Sequence, residues 1–190
     1  GERRGCLGCH ESHSRTAIMG AKALALNQPP RKITPPPWGE DTVSYPRYVQ
    51  PVLNQYCGKC HQGEGKARKV LDLTERPTTP VFTETYMTLI GRPTWGAPYE
   101  KPETPPPGFG IANTLMVEAF STVDPKAYVT PKPMTCLSYN SPLIEIASSG
   151  KHHDVKVDPV SLQRLIAWVD AMCPYCGDEE VREIPDPQFQ

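Results

Sequence analysis

The sequence predicts a mainly α-helical fold with extensive proline-rich loops and little or no β-sheet. Proline accounts for 23 of the 190 residues, more than twice the usual share of about 5%. Because proline lacks a backbone donor, this content disfavours sheets and long unbroken helices. Apolar residues recur at three- and four-residue steps in several short segments, which is typical of helices with one buried face. Leu, Ile, Val and Phe form just under a fifth of the chain, so we expect something other than side chains to fill part of the core.

The charge balance and the distribution of apolar residues exclude several classes of protein. The chain has 20 Lys and Arg residues and 21 Asp and Glu residues, for a net charge of −1 at pH 7. A general nucleic-acid-binding protein would need a basic stripe, and compositional disorder would need a large net charge. No stretch approaches the length of apolar sequence that a membrane-spanning helix requires.

One five-residue pattern occurs twice, at 6–10 and 57–61. Each copy has two cysteines separated by two residues and followed directly by a histidine, which is the attachment motif of c-type haem. In that chemistry each thiol adds to a porphyrin vinyl group, and the histidine supplies an axial nitrogen to the iron. The residues concerned are Cys6, Cys9, His10, Cys57, Cys60 and His61. The sequence therefore predicts two covalently attached haem c groups and a haem-cored, cytochrome c-like fold.

A zinc site is the main alternative, because two Cys-x-x-Cys pairs could supply four sulfur ligands. Such zinc sites do not require a histidine directly after each pair, and both pairs here have one. The added histidines favour haem.

Three further cysteines are Cys136, Cys173 and Cys176. The last two have the spacing of a thiol redox motif, but that motif needs a preceding strand and a following helix. No histidine follows Cys176, so a third haem is not predicted. We expect a disulfide between Cys136 and either Cys173 or Cys176. A disulfide fits an extracytoplasmic location (periplasm, secreted or cell surface), where c-type haem is also attached.

The chain is predicted to divide into a first-haem arm (1–28), a proline-rich linker (29–46), a second-haem, cytochrome c-like domain (47–177) and a C-terminal tail (178–190). Only five residues precede Cys6, too few for a supporting helix, so we expect a further domain upstream. A turn or two of helix is predicted within 14–28. The linker holds six prolines and is expected to be extended polyproline.

Two short helices are predicted in the first half of the second-haem domain. Val49, Val52, Leu53 and Tyr56 share one helical face leading into Cys57, with a proline in the first turn. A short apolar run follows at 70–73. A brief helix over 83–90 is expected to end at Gly91, before a covering loop over 92–108 with six more prolines.

Two further helices are predicted in the last third of the chain. Ser141 and Pro142 form a helix start, with Ser141 as the cap, and Gly150 is the stop. Asp158 and Pro159 start the next helix, which is expected to end at Pro174. Its apolar stripe comprises Leu162, Leu165, Ile166, Val169 and Met172. We expect this stripe to pack in the core, and Trp168 and its neighbours to form a wall of a haem site.

Each iron takes a fifth ligand from its motif and needs a sixth from elsewhere. We predict His152 as the distal ligand of the haem bound at His61. His153 is the second choice, or faces the other haem, because adjacent residues of an extended loop point in opposite directions. His13 lies on the same side of the first haem as His10, and is expected to serve a neighbouring haem, a zinc ion or nothing. Alternative sixth ligands are Met19, Met87, Met116 and Met134.

Several segments resemble the C-terminal haem region of hydrazine-synthase alpha-subunit-like proteins, which are multi-domain secreted cytochromes. These segments are RGCLGCHE (4–11), QPVL (50–53), HHDVKV (152–157) and WVD (168–170), followed by Pro174, Tyr175 and Gly177. The resemblance implies an upstream domain, often a propeller, two haems, and a ligand to the second iron from the His152–His153 pair. In hydrazine synthase a tyrosine four residues after the first motif histidine binds the iron. The matching position here is Ser14, a departure that speaks against hydrazine chemistry.

Electron transfer is the leading functional prediction. The two haems would relay single electrons between extracytoplasmic redox partners, including other haem-bearing subunits. The alternative is a catalytic haem domain, hydrazine-synthase-like or peroxidase-like, in which an open position at the first haem binds a small nitrogen or oxygen species. A third hypothesis is that the first-haem arm docks on another subunit and extends a chain of haems. The sequence assigns no catalytic residue.

Overall fold

A computed structural model of the chain describes residues 28–77, 82–91, 103–112, 133–178 and 180. The chain divides into two compact units, Gly1–Glu40 and Asp41–Gln190. In the described part of the first unit, residues 28–40 contain no helix and are exposed apart from the half-buried Trp38. Nearly all of the predicted first-haem arm lies outside the described residues.

The described part of the second unit is helical. A π-helical turn, Tyr45–Val49, leads into α1 (Gln50–Tyr56), α2 (Gly58–His61), α3 (Lys66–Val70) and α4 (Glu84–Ile90). A 3₁₀ turn, Leu137–Asn140, then precedes α5 (Pro142–Ser149) and α6 (Pro159–Asp170). The one pairing of extended chain in these ranges is an antiparallel bridge between Pro77 and Thr83. The prediction of a mainly α-helical fold with little β-sheet is therefore confirmed.

The predicted helix starts in the first half of this unit are confirmed. Pro51 lies in the first turn of α1, where its missing donor costs nothing. Thr83 caps α4 by accepting a hydrogen bond from a backbone N–H, and Gly91 ends that helix with φ at +62°. A β-carbon at Gly91 would lie 2.4 Å from the α-carbon of Gly110, so this close crossing of two chain segments requires glycine.

The ends of α5 follow the prediction, but its cap does not. Pro142 begins the helix and Gly150, with φ at +71°, ends it. Ser141 occupies the predicted N-cap position, but its side chain makes no capping hydrogen bond. Its hydroxyl instead donates to the backbone carbonyl of Ile111 at 3.1 Å, which ties α5 to the segment that follows α4.

Asp158 caps α6 by accepting hydrogen bonds from two backbone N–H groups, and Pro159 is the first helical residue. The helix ends at Asp170, earlier than Pro174. Met172 and Cys173 adopt left-handed conformations, with φ at +68° and +53°, and these rather than the proline turn the chain away.

An aromatic group formed by Tyr45, Tyr86, Trp168 and Tyr175 lies in the core. The Trp168 indole N–H donates to the carbonyl of Pro174 at 3.0 Å, and the Tyr86 hydroxyl donates to the carbonyl of Cys173 at 2.9 Å. These bonds fasten the chain after α6 to the core. In the described part of the chain, no helix is long and apolar enough to cross a membrane.

Candidate functional site

A cavity of about 600 Å³ lies between α1, α2, α3, α5 and the loop that follows α5. Its volume falls within the range of about 300–1,000 Å³ that is typical of cofactor and small-molecule sites. Its walls are mostly aliphatic and include Leu53, Leu73, Leu89, Ile111, Leu143 and Ile146. Such walls exclude water and favour an apolar occupant.

The second motif forms one wall of this cavity. The chain passes from α1 into α2 at Cys57, whose backbone N–H bonds the carbonyl of Leu53 at 2.9 Å. One turn later, the N–H of His61 bonds the carbonyl of Cys57 at 2.9 Å. Both cysteines of the motif and His61 line the cavity. Cys60 is exposed, whereas Cys57 is partly buried, and this burial raises the pKa of the Cys57 thiol.

A backbone carbonyl fixes the orientation of the His61 ring. The Nδ1 atom of His61 lies 2.8 Å from the carbonyl oxygen of Leu71. Because a carbonyl only accepts hydrogen bonds, Nδ1 must carry the proton, and the neutral ring then has its free lone pair on Nε2. A backbone carbonyl behind a histidine is a common support for a metal-binding imidazole.

The segment that carries this carbonyl is itself held firmly. The Asp72 carboxylate accepts hydrogen bonds from Arg68 at 3.0 Å, Arg76 at 2.9 Å and the backbone N–H of Thr74 at 2.8 Å. Burial alone would raise the pKa of Asp72, but these bonds outweigh it and hold the pKa well below its usual range. The ionised Asp72 therefore fixes the chain on both sides of Leu71.

His152 also lines the cavity, close to His61. The two ring centres lie 6.1 Å apart, and the ring planes differ by 21°. A metal binds an imidazole nitrogen at about 2.0–2.1 Å, and that nitrogen lies about 1.1 Å from the centre of a ring with bonds of about 1.33 Å. Two imidazoles on opposite sides of one metal ion therefore need ring centres about 6.3 Å apart. The observed separation suits such a pair.

The protonation of His152 is compatible with this arrangement. Although the residue is exposed overall, the partial desolvation of its ring lowers its pKa, and the neighbouring His153 and His61 lower it further. A neutral imidazole keeps the lone pair that a metal needs. The His153 ring lies 4.9 Å from the His152 ring, at 76° to it, and also reaches the cavity.

Tyr56 connects the cavity wall to α6. Its ring lines the cavity, and its hydroxyl donates to the Asp158 carboxylate at 2.7 Å. This bond, and burial, raise the pKa of Tyr56. Asp158 thus serves both as the cap of α6 and as an anchor for the residue before the motif. Sequence reasoning found the cap but missed the anchor, because the partners are 102 residues apart.

The structure corrects the prediction that Trp168 and its neighbours form a wall of the site, whereas the predicted core packing of the α6 stripe is confirmed for Leu162, Leu165 and Val169. In the described part of the chain, neither Trp168 nor the apolar stripe of α6 lines the cavity. Trp168 is fully buried between Tyr45 and Tyr86. The helix therefore packs in the core behind the site.

The remaining predicted residues are not brought to this cavity. Met87 is buried in α4, and Met134 is 69% exposed; neither lines the cavity. Cys136, Cys173 and Cys176 are free thiols in this structure. The following predicted residues lie outside the described ranges: Cys6, Cys9, His10, His13, Met19 and Met116. In the described ranges no three His, Cys, Asp or Glu side chains form a metal-ion cluster.

No family model, no curated protein and no solved structure matches this chain. The resemblance to hydrazine-synthase alpha-subunit-like proteins therefore stays a prediction from sequence segments.

Proposed function

We propose that this protein is a dihaem c-type cytochrome that carries single electrons between extracytoplasmic redox partners. One haem would occupy the cavity, with the Cys57 and Cys60 thiols bonded to the macrocycle and His61 and His152 as axial ligands. The first haem would be attached at 6–10, so the haem in the cavity is the second haem. The observation that carries the proposal is the pair of imidazoles whose centres lie 6.1 Å apart in a cavity that both motif thiols line.

The residues of the cavity fit a haem in three respects. The aliphatic walls match an apolar macrocycle. Cys60 lies next to His61 in α2, and Cys57 lies at the start of that helix. Covalent attachment requires both thiols close to this histidine. The hydrogen bond from Nδ1 of His61 to Leu71 leaves Nε2 available as the ligand atom.

A bound haem would supply the one-electron chemistry of its iron. The chain would supply the rest. Leu71 fixes the ring of His61, the aliphatic walls keep water from the macrocycle, and the pairing of two imidazoles favours a lower potential than methionine would give. Cys60 is exposed while it lines the cavity, so a redox partner could approach the cavity on this side.

The location and the remaining cysteines belong to the same proposal. Covalent haem attachment points to an extracytoplasmic compartment, where a disulfide between Cys136 and Cys173 or Cys176 would also persist. The proposed partners are redox proteins, including other haem-bearing subunits.

The test is the mass of the denatured chain after expression in cells that mature c-type cytochromes. We expect the polypeptide plus two haems. Replacing both Cys57 and Cys60 by alanine should remove one haem, and replacing Cys6 and Cys9 should remove the other. The matched control replaces Cys173 and Cys176, which have the same spacing without a following histidine, and should keep both haems. The bare polypeptide mass for the unmodified chain would overturn the proposal.

A further inference from the structure

The loop between α5 and α6 contains a tight turn beside the cavity. His153 and Asp154 are consecutive left-handed residues, with φ at +50° and +59°. The backbone N–H of Val155 donates to the carbonyl of His152 at 3.0 Å. Two left-handed central residues closed by this bond define a type I′ turn over 152–155.

The residues in this turn are not those that the turn favours. A type I′ turn strongly prefers Asn-Gly or similar pairs, because its central positions both need positive φ. A β-carbon makes that conformation unfavourable, although Asp and His tolerate it better than most residues. The His153–Asp154 pair therefore holds the turn under backbone strain.

Little else secures the turn. Among the described residues, the side chains of His152, His153 and Asp154 make no hydrogen bond or ion pair, and residues 151–154 are exposed. The loop is anchored on either side of the turn. Gly150 ends α5, and the N–H of the buried Val157 bonds the carbonyl of Ala147 at 2.9 Å. The ends of the loop are thus fixed, while the exposed segment that carries His152 is held mainly by the turn and by the ring contacts of His152 with His61 and His153.

We infer that His152 is an exchangeable ligand held towards His61 by a strained turn, and that relaxation of the turn opens a coordination position for a small neutral ligand such as carbon monoxide. This inference rests on the proposed function. With haem bound, a His152 nitrogen would give up one bond to the iron and the incoming ligand would form one bond in its place. No electron moves, so the exchange needs no further reactant.

The experiment measures the rate at which carbon monoxide binds to the haem-loaded chain after reduction with dithionite. At saturating carbon monoxide, this rate reports the departure of His152. The His152→Ala variant, in which that haem binds at once, identifies the signal of the second haem.

Two variants change the turn in opposite directions. Combining His153→Asn with Asp154→Gly installs the pair that the turn prefers and should slow binding on the order of fivefold. Asp154→Val introduces the residue type least tolerant of positive φ and should speed binding by a similar factor. Lys151→Gln changes the charge of the same exposed loop outside the turn, and should leave the rate unchanged.

Equal rates in the Asn-Gly variant and the unmodified chain would overturn the inference, even if the Asp154→Val variant failed to fold. The inference would also be overturned if the second haem bound carbon monoxide in the His152→Ala variant but not in the unmodified chain. A chain without haem, recognised by its mass, would instead be a failure of the proposed function.

Discussion

Replacing His152 by alanine should convert one of the two proposed haems from a low-spin to a high-spin form. The His61 and His152 ring centres lie 6.1 Å apart, so a metal ion held midway between them would lie about 3 Å from each centre, which would leave about 2 Å for each bond to a ring nitrogen. Alanine cannot reach across this gap. The expected change is therefore complete loss of the sixth ligand at that haem and an unchanged spectrum at the other.

Absorption and electron paramagnetic resonance spectra of the oxidised protein measure this change. The low-spin signal of that haem should become high-spin, and the reduced variant should bind carbon monoxide there at once, without waiting for a ligand to leave. The matched control is His153→Ala. Its ring lies 4.9 Å from that of His152, so the variant alters the same loop and removes the same side chain, but should keep the low-spin spectrum.

A high-spin conversion by His153→Ala but not by His152→Ala would refute the assignment. If His152→Ala remains low-spin, the variant lacking both histidines shows whether His153 has taken over. A low-spin spectrum in that double variant would refute the proposal that a histidine of this loop binds the iron.

Three further predictions concern the fold around the site. Tyr86→Phe leaves the buried carbonyl of Cys173 without its partner and should lower the free energy of unfolding by about 1–3 kcal/mol, as measured by urea denaturation. Because hydrogen bonds lower the pKa of Asp72 in the folded state, its stabilising effect is full above about pH 4, the usual pKa of Asp, and is lost as the pH falls towards the lower folded value. The melting temperature should therefore decrease as the pH is lowered below about 4. In the Asp72→Asn variant this decrease should be smaller. Cys173 is fully buried, and this burial raises its pKa. Alkylation under reducing conditions, followed by mass spectrometry, should therefore show Cys173 reacting at least about tenfold more slowly than Cys136.

Local signals predicted several helix limits around the site correctly. The limits of α5 came from Pro142 and Gly150, and the start of α6 came from Asp158 and Pro159. These residues act through their own backbone geometry or through a bond to a group within one turn, so the sequence alone suffices. The motif at 57–61 is local in the same sense, because the attachment chemistry that it predicts depends only on spacing.

Contacts between distant segments decided the rest. Sequence reasoning selected the pair at 152–153, but the separation of the His61 and His152 rings depends on how the loop after α5 packs near α2. The role of the Leu71 carbonyl could not be seen, since a backbone group carries no sequence signal. Trp168 had the apolar character of a cavity wall, yet the core and the cavity compete for the same kind of side chain. Hydrophobicity is not directional, so only the tertiary structure could decide whether Trp168 lines the cavity or packs in the core.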